Sequence, residues 1–223
     1  MKIAIDGPAG AGKTTVAKEL AKKLGFTYVD TGAMYRAFAV YFLRNSVSGE
    51  DRAAVEKACQ NVKVRIGYDK NNEQRIFLND EDVTGILRTE EVSQMASVSS
   101  AVPAVRNAFL GLQRDMAKNG DVVMEGRDIG SHVLPDAEVK VFLTATPEER
   151  AKRRCAELKG KGEECSYEQV LSDIKKRDYQ DSTRETAPLL MTEDAVLVDS
   201  SEMTVKEVVN TIRDLYLVRL RKN

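Results

Sequence analysis

Histidine is almost missing from this chain: His132 is the only one in 223 residues, so a Ser-His-Asp relay or a multi-histidine metal site would have to rest on that residue alone. His132 itself has no phosphate-side partner in the sequence pattern and reads as a packed or surface residue. Net charge is nearly absent too. With 34 Lys and Arg against 35 Asp and Glu, no global field coats a nucleic acid, and any bound anion must be met by a local cluster of cations. Cysteine is scarce: Cys59, Cys155 and Cys165 are odd in number and lack CxxC spacing, which predicts free thiols in a reducing cytosol. Long apolar runs are lacking. The longest, Ala37 to Leu43, is far too short to span a bilayer, and MKIAIDGP enters a strand and turn without a signal-type apolar region, so the expectation is a cytoplasmic protein with no membrane partner. What remains is 42% hydrophobic and 31% charged, the balance of one large soluble domain or of a core with inserts.

Five short apolar runs predict buried parallel strands: Ile3 to Asp6, Thr27 to Asp30, Val122 to Glu125, Val139 to Leu143 and Val196 to Asp199. Helical patterns separate them, which argues for a three-layer α/β fold. Val16, Leu20 and Leu24 repeat on one helical face, and Gly25 stands where a helix ends in a left-handed residue. Capping boxes at Thr146 to Glu149, Ser166 to Gln169 and Thr204 to Glu207 mark three further helix starts. Two stretches break the rhythm. Val62, Val64, Ile66, Ile76 and Leu78 alternate around a polar Asp69 to Asn72 turn, which predicts an antiparallel hairpin inserted in the parallel core. From Arg150 to Arg184 charge is dense, and Gly160-Lys161-Gly162 splits two predicted helices; the expectation is a mobile lid that closes over a phosphate site.

Gly7-Pro8-Ala9-Gly10-Ala11-Gly12-Lys13-Thr14 fits G-x-x-x-x-G-K-[ST], after an apolar strand and at the opening of a helix. The glycines let backbone N–H groups turn inward as an anion nest, Lys13 reaches the β- and γ-phosphates, Thr14 holds magnesium and Thr15 adds a hydroxyl. Such loops serve switches, motors and small-molecule kinases alike. A GTP switch needs a guanine-reading Asn-Lys-x-Asp, which is absent. A small-molecule kinase needs arginines for a second anion, and Arg36, Arg106, Arg127, Arg153, Arg177 and Arg184 lie at strand ends and loop edges. The run Val122 to Gly130 is an apolar strand ending in Glu125, followed by Gly126, Arg127 and Asp128. That places a carboxylate near magnesium, and an arginine and an aspartate at the carboxyl end of the sheet, where open α/β folds bind ligands.

Together Ile5 to Lys13, Asp30-Thr31-Gly32-Ala33-Met34-Tyr35-Arg36, Glu125 to Gly130 and Arg177 to Arg184 resemble the bacterial cytidylate kinases, over essentially the whole chain. The resemblance implies a three-layer P-loop NTPase fold with a parallel five-stranded sheet, as one nucleoside monophosphate kinase domain of residues 1–223. Within it would lie a CORE, a small antiparallel NMP-binding insert at about 31–105, and a helical lid at about 150–184. It implies ATP-dependent, magnesium-assisted phosphorylation of CMP and dCMP to the diphosphates. Thr31, Arg36, Arg127 and Arg184 would surround the monophosphate with Tyr35 beside it, Ser97, Arg106 and Asp128 would read cytosine, and Asp181 would meet the ribose. Arg153 and Arg177 would join Lys13 and Arg127 at the transferring phosphates. Glu125 stands where an Asp is common in the family, and its longer arm reaches magnesium directly or through water. The expected partners are ATP and CMP or dCMP, with no nucleic acid, and the chain is expected to act as a monomer. The alternatives are another P-loop small-molecule kinase and a nucleotide-dependent regulatory protein that turns ATP over slowly.

Overall fold

The computed structural model describes residues 1–118 and 120–221. In chain order the strands are β1 (Lys2–Asp6), β2 (Thr27–Asp30), β3 (Val64–Tyr68), β4 (Gln74–Leu78), β5 (Glu81–Asp82), β6 (Val122–Gly126), β7 (Val139–Thr144) and β8 (Val196–Asp199). The helices are α1 (Lys13–Leu24), α2 (Thr31–Arg44), α3 (Arg52–Cys59), α4 (Glu90–Ser99), α5 (Pro103–Met116), α6 (Pro147–Gly160), α7 (Tyr167–Thr183) and α8 (Val205–Leu220). A short π-helical turn, Ile129–Val133, follows β6. All five expected parallel strands are present, in the order β2-β6-β1-β7-β8. β6 and β7 pair with β1, and β8 with β7, in parallel register.

Packing divides the chain into two units, residues 1–28 with 120–223, and residues 29–119. In the first, apolar faces of β1, β7 and β8 close with α1 and α8 around Ile3, Ile5, Val16, Leu20, Leu143 and Ile212. α1 starts at Gly12 and stops at Gly25, both left-handed, as a glycine loop and a left-handed cap require. Gly7 has φ +148°, and a Cβ there would collide with the Leu143 carbonyl, so only glycine lets the chain leave β1 against β7. Of the three capping boxes, Thr204 and Glu207 make both reciprocal bonds. Thr146 and Ser166 accept their helix N–H groups without the return bond, because Glu149 turns toward Lys152 and Arg153 and Gln169 toward Asp173.

The second unit is centred on α2, whose Met34, Phe38 and Phe42 sit among Val55, Ile76, Val105 and Phe109. The expected hairpin is present as β3 and β4, closed by Asp69, whose carboxylate accepts from the N–H groups of Asn71 and Glu73. The alternation did not disclose β5, a two-residue strand too short for any period to register.

One expectation is corrected. Cys155 and Cys165 are not free thiols: they form a disulfide that joins the body of α6 to the residue before the N-cap of α7. Their Cα atoms lie 5.5 Å apart, because the Gly160-Lys161-Gly162 reversal brings the two helices alongside each other. Cys59 remains a thiol, and burial pushes its pKa up to about 11.

Candidate active site

Within the first unit, the sheet order places the glycine loop after β1 and the Glu125 to Asp128 run after its neighbour β6, so both open at the same end of the sheet. Lys13 is only 6% exposed, and its Nζ donates to the Pro8 carbonyl at 2.7 Å, within the loop itself. Burial and then the nearby Arg127 push its pKa down to about 7, against the pull of Glu125, Asp181 and Asp6. Glu125 is buried and accepts from the Tyr28 hydroxyl at 2.8 Å. Arg127 donates from Nε to Asp181 at 2.9 Å, and Arg184 approaches the other Asp181 oxygen at 3.7 Å while its Nε and Nη2 donate to the Ala187 carbonyl. Burial opposes ionisation of Asp181, but Arg127, with Arg177 and Arg184, holds its carboxyl below the usual range. The structure thus brings Lys13, Glu125, Arg127, Asp181 and Arg184 together, with Arg177 in the same electrostatic neighbourhood.

Arg153 goes elsewhere: its guanidinium donates to the Ser200 carbonyl at 2.6 Å and the Ser200 hydroxyl at 3.2 Å, in the loop after β8. Asp128 is buried, and its backbone carbonyl accepts from the N–H groups of His132 and Val133. Two residues absent from the sequence expectations are built into this region. Asp6 accepts from the backbone N–H groups of Ile129 at 2.8 Å and Gly130 at 2.7 Å, pinning the turn next to Asp128; burial raises its pKa to about 6 despite those bonds. Arg150 is the other. It lines, with Pro8, Thr144, Thr146, Asp178 and Asp199, a cleft of about 480 Å³.

In the second unit, Thr31 opens α2 behind Asp30, whose side chain caps Ala33 N and accepts from Arg36 Nη2 at 2.8 Å. A Cβ on Gly32 would lie 3.1 Å from both Arg36 Nη1 and Asp30 Oδ1, so glycine leaves the room for that fold-back. Arg106 is buried, donates to the Ser100 carbonyl and lies over the Tyr35 ring at 5.3 Å, while Tyr35 meets Phe109 edge to face. Two atoms are left over. Among the described residues of this unit, Arg36 Nε and Ser97 Oγ are buried atoms with no hydrogen-bond partner.

The oxygen chemistry of Thr14 and Glu125 suits a hard cation. Among the described residues no group of three His, Cys, Asp or Glu side chains is placed to hold a metal ion.

The family model described as cytidylate kinase matches residues 3–217. The chain belongs to the cytidylate kinase family. A cytidylate kinase of Carboxydothermus hydrogenoformans is 51% identical over 215 residues, covering 96% of each chain, and one of Caldanaerobacter subterraneus subsp. tengcongensis is 50% identical over all of this chain and 96% of its own. Solved structures resemble it in fold alone. An uncharacterized protein from Eubacterium ventriosum aligns with TM-score 0.51 at 14% identity, covering 96% of both chains. A gluconokinase from Sinorhizobium meliloti aligns with TM-score 0.50 at 12% identity, covering 99% of this chain and 94% of its own.

A P-loop lysine held near pKa 7 has a measurable consequence in a cytidylate kinase. A triphosphate bound in the loop would favour the ammonium, so binding there would take up a proton above the empty-site pKa and none below it, where Lys13 is already charged. Calorimetric heats of binding a non-hydrolysable ATP analogue, in buffers of different ionisation enthalpy, should show uptake approaching about one proton at about pH 8.5 and little at about pH 6. No uptake at the higher pH would rule the depressed lysine out.

Proposed function

We propose that this chain transfers the γ-phosphoryl group of ATP to CMP and dCMP, forming CDP and dCDP, as a monomer in the cytoplasm. The observation that carries the reading is membership of the cytidylate kinase family across residues 3–217. Residues 7–15 bind the donor's phosphates. Thr31, Tyr35, Arg36 and Ser97 with Arg106, in an NMP-binding region of about 31–105, serve the acceptor, and so do Arg127, Asp128, Asp181 and Arg184. The unpaired Arg36 Nε and Ser97 Oγ support that assignment. The lid, about 150–184, supplies Arg153 and Arg177.

The acceptor oxygen belongs to a phosphate already ionised at neutral pH, so the lone histidine is no obstacle and no general base is needed. Catalysis is then positioning and charge stabilisation. Lys13 exchanges the Pro8 carbonyl for a phosphate oxygen, and Arg127 and Arg184 exchange part of their hold on Asp181 for the acceptor phosphate, freeing that carboxylate for ribose hydroxyls. Thr14 and Glu125 would hold magnesium, which when bound neutralises charge on the β- and γ-phosphates. Arg153 must leave Ser200 to reach the transferring group, so its contribution requires lid rearrangement.

A coupled assay across CMP, dCMP, UMP, AMP, GMP and dTMP tests the reading. CMP and dCMP are expected to exceed the others by roughly a hundredfold in kcat/KM. Preference for any other acceptor, or turnover below about one per minute with all of them, would overturn it, since such kinases run at ~1 to 100 per second.

A further inference from the structure

Arg150 opens no new pocket and was no candidate for the phosphates, yet all three of its guanidinium nitrogens donate hydrogen bonds. It is 2% exposed. Nε donates to the Ala145 carbonyl at 2.9 Å, at the end of β7. Nη1 donates to the Ala9 carbonyl at 2.9 Å and to Asp178 Oδ1 at 3.0 Å, and Nη2 to Asp178 Oδ2 at 2.5 Å. These acceptors come from three places. Ala9 is in the glycine loop, 141 residues away in sequence, and Asp178 is on α7 beside Arg177 and one turn before Asp181. A Cβ built on Gly10 would stand 3.5 Å from Arg150 Cβ, so the arginine's stem lies close against the loop. Apolar packing alone would be better served by an aliphatic side chain, since burying a paired charge is no efficient route to stability. A planar fork, by contrast, can serve a strand end, a loop carbonyl and a carboxylate at once, which an ammonium on a flexible stem cannot.

We infer that Arg150 is a positioning residue for phosphoryl transfer, holding the Ala9 turn of the glycine loop and the Arg177 to Asp181 stretch of α7 in one fixed arrangement. The loop that receives the donor's phosphates and the helix that presents Arg177 and Asp181 then share one anchor. The inference rests on the kinase reading of the glycine loop and of Arg177. Where chemistry is alignment and charge, a shift of ~1 Å between such parts costs roughly a hundredfold in rate. Water reaching the loop would also turn ATP over without an acceptor.

Arg150→Lys and Asp178→Asn test this in the full chain with magnesium and ATP. Asp178 is 26% exposed on its side chain, so its variant remains informative if Arg150→Lys fails to fold. Each is expected to lower kcat roughly 30- to 100-fold with KM for CMP within about threefold, and to raise the ATP hydrolysed per CDP formed. The double variant should lose no more than the worse single one, because both cut the same link. Two results would overturn the inference: kcat per folded molecule within about threefold of wild type in Asp178→Asn, or losses in the two singles that multiply in the double. Wild-type protein that makes no CDP at all would instead overturn the kinase reading beneath it.

Discussion

Lys13→Ala is expected to lose phosphoryl transfer and to keep its fold, with activity and stability moving in opposite directions. On the proposed reading the ammonium turns to the transferring group, and removing one such charge costs about 3 kcal/mol or more of transition-state stabilisation, roughly a hundredfold in kcat. Stability follows the other sign. Burial depresses the folded pKa of Lys13 to about 7 from 10.5, so between those values the unfolded chain binds the proton that the folded chain refuses, and the folded state is disfavoured at neutral pH relative to its stability above pH 10. Deleting the amine removes that burden along with one bond to the Pro8 carbonyl, so the melting temperature should hold or rise. Steady-state kinetics and thermal melts decide it. Activity within about threefold of wild type would mean that the loop is not the donor site.

Asp128→Ala should collapse the preference for CMP over UMP. The two bases have nearly the same shape, so size cannot sort them; cytosine offers an amino donor and a bare ring nitrogen where uracil offers a carbonyl and an N–H. A carboxylate only accepts hydrogen bonds, so Asp128 suits the amino group and would face the uracil carbonyl unpaired, while Arg106 donors suit the acceptor edge of cytosine. Each mismatched buried contact costs about 1 to 3 kcal/mol, and two predict roughly a hundredfold preference or more. The fold supplies the rigidity this needs. Asp128 is buried, and the turn after it is pinned through Ile129 and Gly130 to the Asp6 carboxylate. With alanine, kcat/KM for CMP should fall far more than for UMP. An equal fall in both would show Asp128 holding Arg127 or the phosphate site and not reading the base.

What could be read from sequence was what repeats or closes locally. The five strands announced themselves as apolar runs, and the glycine loop could be read because its spacing, its lysine and its flanking strand and helix are all local. Asp6 was passed over because its work is done on amides 123 and 124 residues away. Arg150 was read only as the first residue of a charge-dense lid, since no spacing reveals a buried target on Ala9. Asp30, read only as part of a motif, is both the cap of α2 and the partner of Arg36, a double use visible only once Gly32 is seen to make room for it. The disulfide was missed for a similar reason: nine residues between Cys155 and Cys165 match no metal or redox spacing, and only the reversal at Gly160 to Gly162 brings them together.

The strand made first is the strand at the centre of the sheet. As the ribosome releases the chain, β1 emerges about 120 residues ahead of its partner β6, a lead of roughly 6 to 24 s at ~5 to 20 residues per second. The 29–119 unit is one uninterrupted stretch, so in that interval it has all of its own core and can be finished early. β1 and α1 cannot. Ile3, Ile5, Val16 and Leu20, which end wholly buried, travel uncovered until β6 and β7 arrive, and the nascent chain has to be kept from pairing with its neighbours on the same message. A transcript cut short before Val122 would therefore yield a tethered apolar strand beside a folded unit, a substrate for chaperones and proteases and not half of an enzyme.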